Sequence, residues 1–297
     1  MAEIVFGAAL SHSPMMNFPL KKDQAKVDRF KAAVGGIARQ LQAAAPDVIL
    51  IFGPDHFRTL FYDLMPSFVI GIGSIEGWGD WDTPRGPFTP HPLLAEHLLR
   101  TTLEDGFEPA FSREIKVDHG VTQPLELLGL TAMAVIPVVI NAAGPPLPTP
   151  LRCHAFGSAV GSAIRSYPQD LRVAVLASGG LSHDPPAPAG ENMLHGRTNG
   201  FAGSREREAQ LIARADILQL RINPQWDRRV LAHFEQGTVS VLASELNTES
   251  VFEEAGNGGQ EVRTWIALAG TLGDAKMKLA YYEPIDELIT GMGVIST

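Results

Sequence analysis

Five short, almost wholly apolar runs punctuate the chain: residues 4–10 (IVFGAAL), 46–52 (PDVILIF), 68–73 (FVIGIG), 133–141 (MAVIPVVIN) and 172–178 (RVAVLAS). Each is short for a helix and too continuous for a strand with one wet face. Each therefore reads as a strand covered on both sides. Between them lie stretches with helical spacing. Residues 23–45 place Val27, Phe30, Val34 and Ile37 three or four apart, and residues 92–105 and 150–165 behave alike. Buried strands alternating with helices predict an α/β fold with a central, mostly parallel or mixed sheet and helices on both faces. After residue 204 the pattern is mostly helical, with 224–236 and 261–270 the clearest helices. No long linker interrupts the chain, so residues 1–297 read as a single domain. Residues 184–202, rich in Pro and Gly, read as a loop that could act as a lid.

In an open α/β sheet, ligands bind in the crevice beyond the carboxyl ends of the strands. The active site is expected there, and histidines stand at three such ends. His12 follows the first run, His56 the second and His183 the last. If these strands run parallel, all three imidazoles crowd one rim. Small neighbours (Ser11, Gly53, Gly179, Gly180, Ser182) would clear space beside them and let backbone and ligand approach closely. The stretches ALSHSP (9–14) and GLSHDP (180–185) use the same strand-end device twice. His91, His97, His154, His195 and His233 lack this setting and read as structural. His119 is a fourth candidate. It follows Asp118 at a helix start, where an acid also serves as a plain N-cap.

Neutral imidazoles gathered at one rim suit a divalent metal. Two histidines and one carboxylate can hold such an ion on one face and leave three positions open. On pattern alone His183 stands with His12 and His56 among the candidate ligands. Glu261 is the best-placed carboxylate: it follows a glycine-rich turn and opens an apolar helix, where it needs a partner to offset its desolvation.

Composition narrows the partners. The net charge of −9 disfavours a phosphate backbone, so no nucleic acid is expected. No apolar run reaches the roughly 18 residues of a membrane span. The N-terminus has no basic region ahead of its apolar stretch and does not read as a signal peptide. Cys153 is the only cysteine, which suits a reducing cytoplasm and a buried structural thiol.

The stretches LSHSP, FGPDHF, VDHGVTQPLELL, SGGLSHDPP and GNGGQEVRTW, in this order, resemble the class III extradiol ring-cleavage dioxygenases. The likeness extends to YDLMPSF, NPQWDRRVL and YYEPIDELITGMG, and so over nearly the whole chain. The resemblance implies Fe(II) held by His12, His56 and Glu261. It implies His183 as an acid–base residue beside the metal rather than a ligand. It makes His119 a second acid–base residue, supported by Asp118. The reaction implied is cleavage of a small aromatic diol, a substituted catechol, next to its hydroxyls, with both atoms of O2 incorporated. The setting implied is bacterial-type aromatic degradation by a cytoplasmic homo-oligomer, with no nucleic-acid or membrane partner. Two other readings use the same residues: a zinc hydrolase, and a binding protein that has lost catalysis. Metal identity and oxygen uptake separate them.

Overall fold

The computed structural model describes residues 1–184 and 222–297. Among these, nine strands form one mixed sheet in the order β5-β3-β4-β6-β2-β7-β1-β9-β8. The strands are β1 (Glu3–Leu10), β2 (Val48–Gly53), β3 (Phe68–Trp78), β4 (Arg85–Pro90), β5 (Ala110–Val117), β6 (Ala134–Ile140), β7 (Arg172–Ser178), β8 (Lys278–Ile285) and β9 (Thr290–Ser296). The helices are α1 (Gln24–Ala44), α2 (Pro92–Glu104), α3 (His119–Leu127), α4 (Pro150–Ser166), α5 (Pro224–Gln236), α6 (Val239–Glu245), α7 (Thr248–Ala255) and α8 (Val262–Thr271).

The four central strands, β6, β2, β7 and β1, are mutually parallel. Their side chains alternate between two cores. Val48, Leu50 and Phe52 of β2 join Phe156 and Val160 of α4 and Trp265 and Leu268 of α8. Ile49 and Ile51 face the other way, onto Phe30, Val34 and Ile37 of α1 and Val121 and Leu125 of α3. That double burial is why these strands read as continuous apolar runs. Every residue of α8 is buried, so this helix lies within the molecule rather than upon it. Its close approach to α4 depends on glycine. A Cβ at Gly157 would strike the Ala267 carbonyl, and one at Gly270 the His154 carbonyl.

The sequence pattern misses four strands. β4 carries two prolines and a glycine, and the edge strand β5 is largely exposed. β8, the other edge, is partly exposed and follows a predominantly helical stretch. β9 is wholly buried but interleaves glycine, threonine and serine with its apolar residues, TGMGVIS. These last two correct the expectation of a mostly helical C-terminal third. β9 runs antiparallel beside β1, and β8 beside β9. The predicted loop at 184–202 lies, from residue 185 onward, outside the described residues, as does His195. No helix among the described residues is long and apolar enough to cross a membrane.

Candidate active site

β1, β2 and β7 end on one edge of the sheet, and their trailing residues meet there. His12 lies two residues beyond β1, and its Nδ1 is 2.9 Å from the Oγ of Ser178, the last residue of β7. Its Nε2 is 3.9 Å from Glu261 Oε2. His56 lies three residues beyond β2. Its Nε2 is 3.1 Å from Glu261 Oε1. Its opposite side is held by Asp118, whose Oδ2 accepts from the His56 backbone N–H at 2.7 Å and lies 3.0 Å from Nδ1. Gly53 makes this junction tight, since a Cβ there would meet Val121 and the backbone of Gly120 on α3.

Glu261 arrives from a different direction. The 3-10 turn Gly258–Glu261 delivers it to the start of α8 with only 4% exposure. Its Oε2 accepts from the Gly180 N–H at 2.7 Å. Its Oε1 lies 3.5 Å from His183 Nε2, and His183 donates from Nδ1 to the Leu181 carbonyl at 2.8 Å. The glycines expected to clear space beside the imidazole for a ligand instead admit protein. A Cβ on Gly180 would lie 2.5 Å from His183 Cε1, and one on Gly179 would lie 2.9 Å from Glu261 Cβ. Gly258 closes on the His183 ring from the other side.

His119 opens α3 beside them. Its ring stacks on His56 with centroids 4.2 Å apart and an interplanar angle of 22°. Asp118 does not hold it, contrary to the expectation from their adjacency. As the N-cap of α3, Asp118 turns one oxygen back to the Gly120 N–H at 2.8 Å and gives the other to His56. The acid that holds His119 is Asp80, two residues beyond β3 at the start of a short 3-10 turn. Its Oδ2 is 2.6 Å from His119 Nδ1, and its Oδ1 accepts from the His119 N–H at 3.0 Å. Arg58 Nε lies 3.4 Å from the same Asp80 carboxylate. Sequence reasoning missed Asp80, and its only local signal is an acid between Gly79 and Trp81 beyond a strand.

The remaining histidines among the described residues have private partners, as expected of structural residues. His91 caps α2, His97 Nε2 reaches the Ala163 carbonyl, His154 pairs with Asp274 and His233 with Thr238. Cys153 is fully buried in α4, and burial pushes its thiol up to about 12.

The donor set fits a divalent metal. Two ligands bound at about 2.1 Å lie roughly 3.0 Å apart at a right angle and about 4.2 Å apart when opposed. Glu261 Oε1 stands 3.1 Å from His56 Nε2 and Oε2 stands 3.9 Å from His12 Nε2, so each carboxylate oxygen lies within that span of one imidazole. The nitrogens of His12, His56 and His119 also lie within 4.8 Å of one another. Stacked rings, however, carry their lone pairs side by side in near-parallel planes, so His56 and His119 do not converge on one ion. Burial opposes the charge on Glu261, but His183 and His56 outweigh it and hold the carboxyl well below its usual range. Burial likewise opposes protonation of His56 and His183, and the facing carboxylates overcome it and raise both. His12, where burial dominates, is lowered to about 3 and stays neutral, as a metal ligand must.

The family described as the catalytic LigB subunit of aromatic ring-opening dioxygenase matches residues 7–293. The chain belongs to this LigB family. A 2,3-dihydroxyphenylpropionate/2,3-dihydroxicinnamic acid 1,2-dioxygenase from Photorhabdus laumondii is 37% identical, over 96% of this chain and 95% of that protein. A protein of the same description from Mycolicibacterium paratuberculosis is 36% identical, over 96% of both chains. Among solved structures, an uncharacterized protein from Escherichia coli K12 covers 98% of this chain and 99% of its own, with a TM-score of 0.54 at 14% identity. That last likeness is one of fold alone. As a LigB member, the chain is a ring-cleaving dioxygenase of aromatic degradation.

Proposed function

We propose that this LigB dioxygenase is a single catalytic domain that opens a substituted catechol beside its hydroxyls with O2, using Fe(II) held by His12, His56 and Glu261. One observation carries the reading. A buried carboxylate stands 3.1 and 3.9 Å from two imidazoles at the carboxyl ends of parallel strands, with its other contacts made by a backbone N–H and His183. When bound, Fe(II) supplies a path for electron density between a closed-shell catechol and ground-state O2, which react poorly alone. The chain supplies the proton handling. The His183 ring donates a hydrogen bond from Nδ1–H to the Leu181 carbonyl, so its neutral form has a lone pair at Nε2. That nitrogen accepts a proton from the diol as it binds. His119 is held at Nδ1 by Asp80, and its Nε2 is the nitrogen that would deliver a proton to a leaving oxygen. The names of the relatives favour a catechol carrying a three-carbon acid side chain. A reducing cytoplasm suits the lone buried cysteine.

The test is anaerobic loading with Fe(II), followed by oxygen uptake over a panel of catechols headed by 2,3-dihydroxyphenylpropionate. Uptake matched by ring-opened product, and lost on loading with zinc, is the expected outcome. Hydrolytic activity in the zinc-loaded protein with no oxygen uptake by the iron form would replace this reading with a zinc hydrolase.

A further inference from the structure

Asp227 takes no part in the chemistry above, yet it is a wholly buried carboxylate in the first turn of α5. Burying such a group is costly unless hydrogen bonds satisfy it. Its Oδ1 accepts from the Ser182 N–H at 2.8 Å. Its Oδ2 accepts from the Ser182 hydroxyl at 2.9 Å and the Tyr282 hydroxyl at 2.6 Å. Ser182 Oγ itself accepts from the Asn223 N–H at 2.7 Å, so its proton is left for Asp227. From the other side, β9 grips the same residues: Gly291 donates to the Ser182 carbonyl at 3.1 Å and accepts from the Leu181 N–H at 3.4 Å. A Cβ at Gly291 would collide with Asp227 Oδ2, so carboxylate and strand are in close contact.

The residue that follows this clamp is His183. Its ring is fixed through the Leu181 carbonyl, and the Leu181 carbonyl and the Ser182 N–H belong to one planar peptide. In a trans peptide these two groups point in opposite directions. Whatever holds the N–H therefore aims the carbonyl. A carbonyl only accepts, so its bond to Nδ1 places the neutral ring's proton there and the lone pair at Nε2, facing Glu261.

We propose that Asp227 is the positioning residue of His183: by holding the Ser182 N–H it turns the Leu181–Ser182 peptide so that its carbonyl meets Nδ1 and leaves the Nε2 lone pair directed into the site. The inference rests on the reading of His183 as the acid–base residue.

A double-mutant cycle tests it, with iron content and thermal stability measured for every variant. Asp227→Asn keeps iron and substrate KM but lowers kcat roughly tenfold or more, and lowers it no further in a His183→Ala background. Tyr282→Phe leaves both bonds to Ser182 in place. It lowers thermal stability and keeps kcat within about twofold of the parent. Histidine ¹⁵N spectra of the metal-free protein give a second readout. Recorded at a pH high enough to deprotonate His183, where burial opposes the charge but Glu261 raises the pKa, the parent shows a single Nδ1–H form of the neutral ring, and Asp227→Asn shows a mixture. Asp227→Ser, which withdraws the carboxylate from the Ser182 N–H, serves for both measurements if Asp227→Asn does not fold, whereas Ser182→Ala keeps that N–H bond and behaves as the parent. Additive kcat losses, or an unchanged single tautomer in the folded variant, overturn the role of Asp227 alone. A His183→Ala protein with parental turnover overturns the reading of His183 and this inference with it.

Discussion

Each histidine of the site is oriented by what its other nitrogen touches, and the consequences differ residue by residue. His12 rests on Ser178, His56 on Asp118, His119 on Asp80 and His183 on the Leu181 carbonyl. Removing a metal ligand and removing an acid–base group should therefore look different. In His12→Ala, iron and activity are expected to disappear together. In His183→Ala, iron and catechol binding persist while kcat falls roughly 100- to 10,000-fold, the usual contribution of a general acid–base group. Iron analysis beside single-turnover kinetics checks this, and an iron-free His183→Ala protein would show that His183 is a ligand. Asp80 gives a further test at this scale. Asp80→Asn retains the shape but trades the oxygen at His119 Nδ1 for an amide that can present a donor. The expectation is a loss of kcat of about tenfold or more with iron retained. Loss of iron with parental turnover per remaining iron would instead tie Asp80 to metal binding.

Among the elements, α8 bears the greatest constraint, because it is buried on every side and begins at Glu261. Its contact with α4 is backbone to backbone at Gly157, where the facing Ala267 carbonyl cannot swing aside as a side chain would. Gly157→Ala gains about 1 kcal/mol of helix propensity. It loses roughly 1–3 kcal/mol to overpacking against backbone, so the clash wins. Denaturant unfolding is expected to show a net loss, and an equally stable or stabilised variant would show that the two helices can part. The same elements show what the sequence makes legible. β2, β6 and β7 stand out because burial on both faces leaves little room for polar residues. β5 and β8 do not, because an edge strand alternates or carries charge, and neither does β9, which interleaves glycine, threonine and serine with its apolar residues. His12, His56 and His183 are legible because each follows such a run. Asp80 is not, because its bond to His119 spans 39 positions and no local spacing links the two. Asp118 misleads for a related reason: adjacency in sequence suggests His119 as its partner, whereas capping α3 turns its carboxylate toward His56.

Across the whole molecule, the site joins segments that are far apart in the chain. His12 follows the first strand, His56 the second, and Glu261 comes after α7, so an ion they share ties the two ends of the sequence together. A ligand that binds only the folded state stabilises it by about 2.7 kcal/mol at a free concentration 100 times its Kd. Fe(II) loading under anaerobic conditions should accordingly raise the melting temperature, and chelation should reverse the gain. In Glu261→Ala, the added metal should leave the melting temperature unchanged. The most direct measurement is the iron bound per chain after anaerobic loading and desalting, compared among the parent, Glu261→Ala and His119→Ala. The account predicts one iron in the parent, one in His119→Ala and none in Glu261→Ala. Full iron in Glu261→Ala, with none in His119→Ala, would contradict it and place the metal on the three stacked and crossed histidines instead.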